Sequence, residues 1–214
     1  MTPFADRAEA GRELAALLVR TTPSTTPGTV VLGLPRGGLP VAAEVARALA
    51  VPLDVLVVRK LGVPWHPELA MGAVAGEGVR VLNRDVLAGM GVSPADLEVV
   101  TARERGEVAE RERRYRGARP AVPVVGRRVV VVDDGLATGA TAAAAVRAVR
   151  ARGAGPVLLA VPVGAVVTVD RLRAIADEVI CAVTPPDFVS VGGYYRDFRP
   201  VSDDEVHQIL NRTG

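Results

Sequence analysis

Four β-branched residues in an unbroken run, Val129-Val130-Val131-Val132, end abruptly at two adjacent carboxylates, Asp133-Asp134. A strand with one wet face alternates apolar and polar residues, so a run without alternation belongs to a strand buried on both faces. Comparable runs recur at residues 30–34, 53–58, 156–161 and 178–183. Between them lie helix-like stretches at 39–50, 139–152 and 166–176, and an amphipathic helix opens the chain over 5–20, with Ala8, Leu14, Leu17 and Leu18 on one face. A Thr/Pro-rich linker follows at 21–28. Strands alternating with helices predict a single α/β domain with a central parallel sheet flanked by helices. With 214 residues and 49% apolar content, the chain can bury one such core.

The stretch from about 61 to 125 breaks the alternation. Residues 71–75 and 79–83 read as a hairpin turning at Gly76-Glu77-Gly78, followed by a charged helix over 94–115. In that helix Glu107–Arg111, Glu110–Arg114 and Glu112–Arg116 are i,i+4 pairs in the favourable order. Alternating sign and an aromatic content of 3% make it a solvated, salt-bridged face rather than a nucleic-acid stripe.

A net charge of +2 demands neither a nucleic acid nor a membrane as partner. Of the 26 basic residues only Lys60 is a lysine, which singles it out in a chain that otherwise uses arginine. Cys181 is the one cysteine, so no internal disulfide forms, and a reducing, cytoplasmic setting is expected. Residues 1–11 carry Asp6, Arg7 and Glu9 and do not read as a signal peptide. The longest weakly polar stretch, 156–169, is interrupted by Pro162 and Gly164 and is too short to span a bilayer.

Ligands of parallel sheets bind at the carboxyl ends of the strands, and Arg36, Arg59-Lys60 and Asp133-Asp134 are all expected there. After the acids, Gly135 turns the chain, and Ala137-Thr138-Gly139-Ala140-Thr141 leads into a helix N-terminus. Backbone N–H groups, two hydroxyls and the helix dipole would all face an anion there. Carboxylates beside such a cradle suit a sugar phosphate, the acids taking hydroxyls and the loop taking phosphate. No G-x-x-x-x-G-K-[ST] loop and no G-x-G-x-x-G after a strand occurs.

The VVVVDDGLATGAT segment resembles the signature with which type I phosphoribosyltransferases bind 5-phosphoribosyl 1-diphosphate (PRPP). The resemblance extends over residues 30 to 162. Leu34-Pro35-Arg36-Gly37-Gly38 looks like the family's diphosphate loop, and Arg59-Lys60 like the cation pair of the adenine and orotate enzymes. It implies transfer of ribose 5-phosphate from PRPP to a small-molecule acceptor, with Mg2+ carried by PRPP beside Asp133 and Asp134. The implied catalytic residues are Lys60, Arg59, Asp133 and Asp134. Arg36, Gly37, Gly38 and 137–141 complete the PRPP site. It also implies a homodimer, an inserted segment at 61–125 with a flexible loop around His66 and Glu68, and a small C-terminal hood at 184–214. The whole chain is similar to stand-alone bacterial phosphoribosyltransferase-like proteins without a settled acceptor.

On the acceptor side, Pro186-Asp187-Phe188-Val189-Ser190-Val191-Gly192 is similar to a stretch of the hypoxanthine-guanine enzymes that stacks an aromatic ring on the purine. Phe188, Tyr194 and Tyr195 are the candidates for that contact. Those enzymes carry an acid where this chain has Ala137, and a lysine on the next strand that 157–161 lacks. The alternative is a PRPP- or nucleotide-sensing regulator that kept the site and little catalysis.

Overall fold

The computed structural model describes residues 3–21 and 28–212, so most of the Thr/Pro-rich stretch lies outside the described residues. In chain order the elements begin α1 (Arg7–Thr21), β1 (Val30–Gly33), α2 (Gly38–Leu49), β2 (Leu53–Val55), β3 (Val58–Val63), β4 (His66–Ala75), β5 (Arg80–Leu82) and α3 (Arg84–Gly89). They continue with α4 (Pro94–Arg116), β6 (Val129–Val132), α5 (Ala140–Ala151), β7 (Val157–Val163), α6 (Val166–Leu172), β8 (Glu178–Val183), a 3-10 turn (Val191–Tyr194) and α7 (Asp203–Arg212).

A five-stranded sheet of order β2-β1-β6-β7-β8, parallel throughout, forms the centre. The unbroken valine and leucine runs are explained by what covers them. Val31, Val130, Val132, Leu158 and Ala160 pack with α1, α2 and α7 on one face. Their neighbours Val30, Leu32, Val129, Val131, Val157, Leu159 and Val161 pack with α5 and α6 on the other. Period-two side chains with helices on both sides leave no position for a polar residue in the three inner strands β1, β6 and β7.

The expected 53–58 strand is two strands. β2 ends at Val55, the Leu56 N–H reaches the Gly33 carbonyl at 3.0 Å, and the chain then leaves the sheet. β3 starts at Val58 and pairs antiparallel with β4, and β4 with β5, in a second, three-stranded sheet. Arg59 and Lys60 are therefore not at the end of a core strand. The turn at 76–79 closes the expected β4–β5 hairpin, with Glu77 and Gly78 both at positive φ. The β3–β4 hairpin around Pro64-Trp65 was not anticipated.

Helix α4 begins with Ser93 as N-cap, its Oγ accepting from the Asp96 N–H at 3.1 Å, and Pro94 in the first turn; it ends at Gly117 with φ of 60°. All three anticipated pairs form: Glu107–Arg111 at 3.9 Å, Glu110–Arg114 at 2.7 Å and Glu112–Arg116 at 3.2 Å. The helix is nevertheless not a purely solvated one, because Val100, Thr101, Glu104, Val108, Tyr115 and Arg116 are buried. Arg116 reaches the sheet itself, with Nε 2.8 Å from Asp54 Oδ1 and Nη2 donating to the Val55 carbonyl at 2.8 Å.

The C-terminal segment returns across the carboxyl end of the sheet. Phe4 pairs with Tyr195, and α7 packs on α4 and α2. Ser202 and Glu205 cap α7 reciprocally: Ser202 Oγ accepts from the Glu205 N–H at 3.1 Å, and the Glu205 carboxylate from the Ser202 N–H at 2.8 Å. Among the described residues no helix is long and apolar enough to cross a membrane.

Candidate functional site

The strand order reverses between β1 and β6, since β2 lies on one side and β7 and β8 on the other. At such a switch point the loops leaving neighbouring strands diverge and open a crevice. The two loops that leave here are Leu34-Pro35-Arg36-Gly37-Gly38 after β1 and Asp133-Asp134-Gly135 after β6, joined by Leu34 N–H donating to the Val132 carbonyl at 2.9 Å. The Pro35–Arg36 peptide is cis. The glycines serve close approach. A Cβ on Gly37 would overlap the Asp134 carboxylate, 2.7 Å from its Cγ, and one on Gly38 would sit 2.8 Å from the Val132 carbonyl oxygen and 2.9 Å from Asp133 Cα. No other residue type lets these loops meet as they do.

The two acids have different surroundings. Asp134 Oδ2 is 2.8 Å from Arg7 Nε, and the Asp134 carbonyl accepts a hydrogen bond from the Tyr195 hydroxyl at 2.6 Å. Burial raises the Asp134 carboxyl above its ordinary value of 3.8 while Arg7 pulls it back down. Asp133 Oδ1 accepts the Asp134 N–H at 2.9 Å, and among the described residues no cationic side chain pairs with it. Its carboxyl is raised well above 3.8, first by burial and then by the charge of Asp134. A carboxylate so placed gains from any cation or hydroxyl that a ligand brings.

Beyond Gly135 the chain forms an exposed loop that runs into α5. Gly139 adopts φ of 70° and packs where a Cβ would meet Thr168 Cγ2 at 2.6 Å, so a left-handed backbone and a tight contact with α6 both select glycine. Helix α6 fastens the loop from outside: Thr168 Oγ1 donates to the Ala137 carbonyl at 2.7 Å, and Arg171 donates to the Thr138 carbonyl. With those carbonyls held on the α6 side and the Ala140 N–H donating to Thr138 Oγ1 at 3.4 Å, the next N–H groups of the first turn of α5 remain to meet an anion. Ala137, Thr138, Ala140 and Thr141 are exposed there.

A family model described as "Phosphoribosyl transferase domain" matches residues 5–199. The chain belongs to this family. The "Putative phosphoribosyl transferase" of Mycobacterium tuberculosis strain H37Rv is 51% identical over 212 residues, 99% of this chain and 47% of that protein. The protein of the same name from M. tuberculosis strain CDC 1551 matches equally. The chain thus spans about half the length of the curated relatives it matches. The crystal structure of TT1426 from Thermus thermophilus superposes with a TM-score of 0.90 at 45% identity, covering 100% of this chain and 99% of that one.

Against the phosphoribosyl transferase expectation, several residues stand elsewhere. Arg36 makes a contact with Asp203 of α7, at 3.4 Å. Arg59 and Lys60 are consecutive in β3, in the three-stranded sheet rather than the central one, and line one cleft with Arg103 and Glu104. Arg59 Nε is 2.9 Å from the buried Glu104 carboxylate of α4, whereas exposed Lys60 has a looser contact with Glu68 at 3.4 Å. His66 and Glu68 are the first and third residues of strand β4, in the β3–β4 hairpin that follows Arg59-Lys60. Tyr195 is 6% exposed with its hydroxyl committed to Asp134, so it braces the site and offers no free face for stacking. Phe188 and Tyr194 stack on each other, centroids 5.7 Å apart and planes within 7°. Arg7, Thr168 and Arg171 are the contributors that the sequence did not reveal.

Proposed function

We propose that the protein transfers ribose 5-phosphate from magnesium-bound PRPP to a small acceptor. The acceptor's lone pair forms a bond to the anomeric carbon, and diphosphate leaves with the electrons of the bond that breaks. The observation that carries this reading is the meeting, at one switch point, of the glycine loop, the acidic pair and the loop leading to the N-terminus of α5. The α5 loop suits the 5′-phosphate, Asp133 the ribose hydroxyls, and the glycine loop the diphosphate. Asp133, which has no cationic side chain paired with it among the described residues, fits a hard cation. Among the described residues no group of three or more His, Cys, Asp or Glu could hold a metal alone. Two carboxylates completed by substrate phosphates are a usual arrangement for magnesium, which would neutralise the departing diphosphate. Titration calorimetry with PRPP and Mg2+ tests this. Asp133→Asn should weaken binding by more than about tenfold, the scale of a charge-assisted hydrogen bond. Equal affinity would remove Asp133 from the site. A diphosphate-release screen over bases and amines would then seek the acceptor.

One observation favours a regulator instead. Arg59, one of the cations a leaving diphosphate would use, is paired with the buried Glu104 carboxylate at 2.9 Å. Arg36 and Lys60 keep only exposed contacts at 3.4 Å, which leave both free to turn. For a transferase, Lys60→Ala should lower kcat by about 100-fold while PRPP affinity changes by less than about threefold, because charge builds on diphosphate only in the transition state. Single-turnover kinetics beside calorimetry decide it. Wild-type turnover in Lys60→Ala would end the catalytic role of Lys60, and PRPP binding without diphosphate release from any acceptor would favour the regulator.

A further inference from the structure

Arg7 lies 127 residues from Asp134 in sequence, yet its Nε, its Nη1 and the face of its guanidinium are all engaged beside the acidic pair. Nε contacts Asp134 Oδ2 at 2.8 Å, and Nη1 donates to the Arg199 carbonyl at 2.9 Å. The guanidinium carbon lies 3.9 Å from the centre of the Phe198 ring. The residue is 9% exposed. The chain around it is anchored on the same side: Phe4 N–H donates to the Tyr194 carbonyl at 2.9 Å, Arg196 N–H to Phe4 at 2.8 Å and Asp197 N–H to Ala5 at 2.9 Å. Tyr195, between those contacts, donates its hydroxyl to the Asp134 carbonyl. Asp134 is thus gripped at its side chain by the N-terminal helix and at its backbone by the C-terminal segment.

We infer that Arg7 is a positioning residue and that the two acids do different work: Asp134 is braced by Arg7, and Asp133 meets the ligand. The second half rests on the PRPP reading above. Arg7 balances the charge of Asp134, holds its carboxylate against the Gly37 backbone, and leaves Asp133 as the acid available to a metal or hydroxyl. Only a guanidinium can do this, because Nε, Nη1 and the flat face are used at once, and a lysine ammonium has neither the fork nor the face.

The experiment uses the full chain with Arg7→Met, Arg7→Lys, Asp134→Asn, Asp133→Asn and the double variants Arg7→Met plus Asp134→Asn and Arg7→Met plus Asp133→Asn, each checked by thermal melting. In calorimetry with PRPP and Mg2+, Arg7→Met should weaken binding by about tenfold or more, with Arg7→Lys a poor rescue. Adding Asp134→Asn to Arg7→Met should change affinity by less than about threefold, the non-additivity of residues acting as one unit, whereas Asp133→Asn should still take its full effect. Affinity within twofold of wild type for Arg7→Met, or fully multiplicative effects of Arg7→Met and Asp134→Asn, would overturn the positioning role. If wild type binds no PRPP, the proposed function fails, and the same double-variant comparison read in melting temperature decides whether Arg7 and Asp134 act as one unit. Should Arg7→Met not fold, Arg7→Lys, which keeps charge and length, carries the same comparisons.

Discussion

Asp54→Ala should destabilise the protein by about 3–5 kcal/mol, the usual consequence of removing one partner from a buried ion pair. Asp54 is 4% exposed and Arg116 is 8% exposed, so neither has water to fall back on. The carboxylate accepts from Arg116 Nε at 2.8 Å, from the Val122 N–H at 3.0 Å and from the Val55 N–H at 2.7 Å. Its loss would strand a guanidinium that keeps only Glu112 and the Val55 carbonyl. Glu112 already contacts Arg116 Nη1 at 3.2 Å, and burial raises its carboxyl above the ordinary 4.5 despite that contact. The pair ties the end of α4 to edge strand β2, next to the strand that delivers the glycine loop. Equilibrium urea denaturation followed by circular dichroism would measure the effect. A companion Asp54→Leu plus Arg116→Met variant should recover much of it, since apolar replacement of a whole buried pair is often neutral. A loss below about 1 kcal/mol in Asp54→Ala would mean that the pair is effectively solvated.

The same pair marks where reading the sequence stops. Runs such as 129–132 were legible because a strand buried on both faces has no choice of residue type. The loop at 133–141 was legible because acids followed by Thr-Gly-x-Thr have few other uses. The i,i+4 pairs on α4 were legible because both partners lie on one helix. Which strand the 53–58 run joins depends on partners far away in sequence: Val55 pairs with Gly33, and Val58 with Ala75. Apolar character is the same for both choices, so the sequence presents one run where the chain makes two strands. The difference moves Arg59 and Lys60, because the end of a core strand and the middle of an antiparallel hairpin give a cation different reach. Arg7 was invisible for the same reason. On α1 it looks like one more surface arginine, and only the fold brings Asp134, Phe198 and the Arg199 carbonyl around it.

Gly37→Ala should cut PRPP affinity by about 100-fold or more, the equivalent of one or two charge-assisted hydrogen bonds. The added methyl would overlap the Asp134 carboxylate and come within 3.3 Å of Arg7 Nε. A clash with a free side chain would be relieved by a rotamer change, but here both ends of Asp134 are held, by Arg7 and by Tyr195. The strain must therefore go into the loops, moving the glycine loop off the crevice or pushing Asp134 out and carrying Asp133 with it, since Asp133 Oδ1 holds the Asp134 N–H. Backbone conformation is not the obstacle, because Gly37 has φ of −61°, which alanine adopts freely. That separates this glycine from Gly139, where positive φ would penalise alanine in any surroundings. Gly89→Ala, with no atom within 4 Å of the new methyl, is the control and should bind PRPP as wild type does. Overpacking of this kind should also lower stability by about 1–3 kcal/mol, well short of unfolding a domain of this size. Calorimetry at a temperature where both variants remain folded isolates the binding effect. If Gly37→Ala binds PRPP within about threefold of wild type, less than half of one such hydrogen bond, then the glycine loop shapes the acids without contributing to the ligand site.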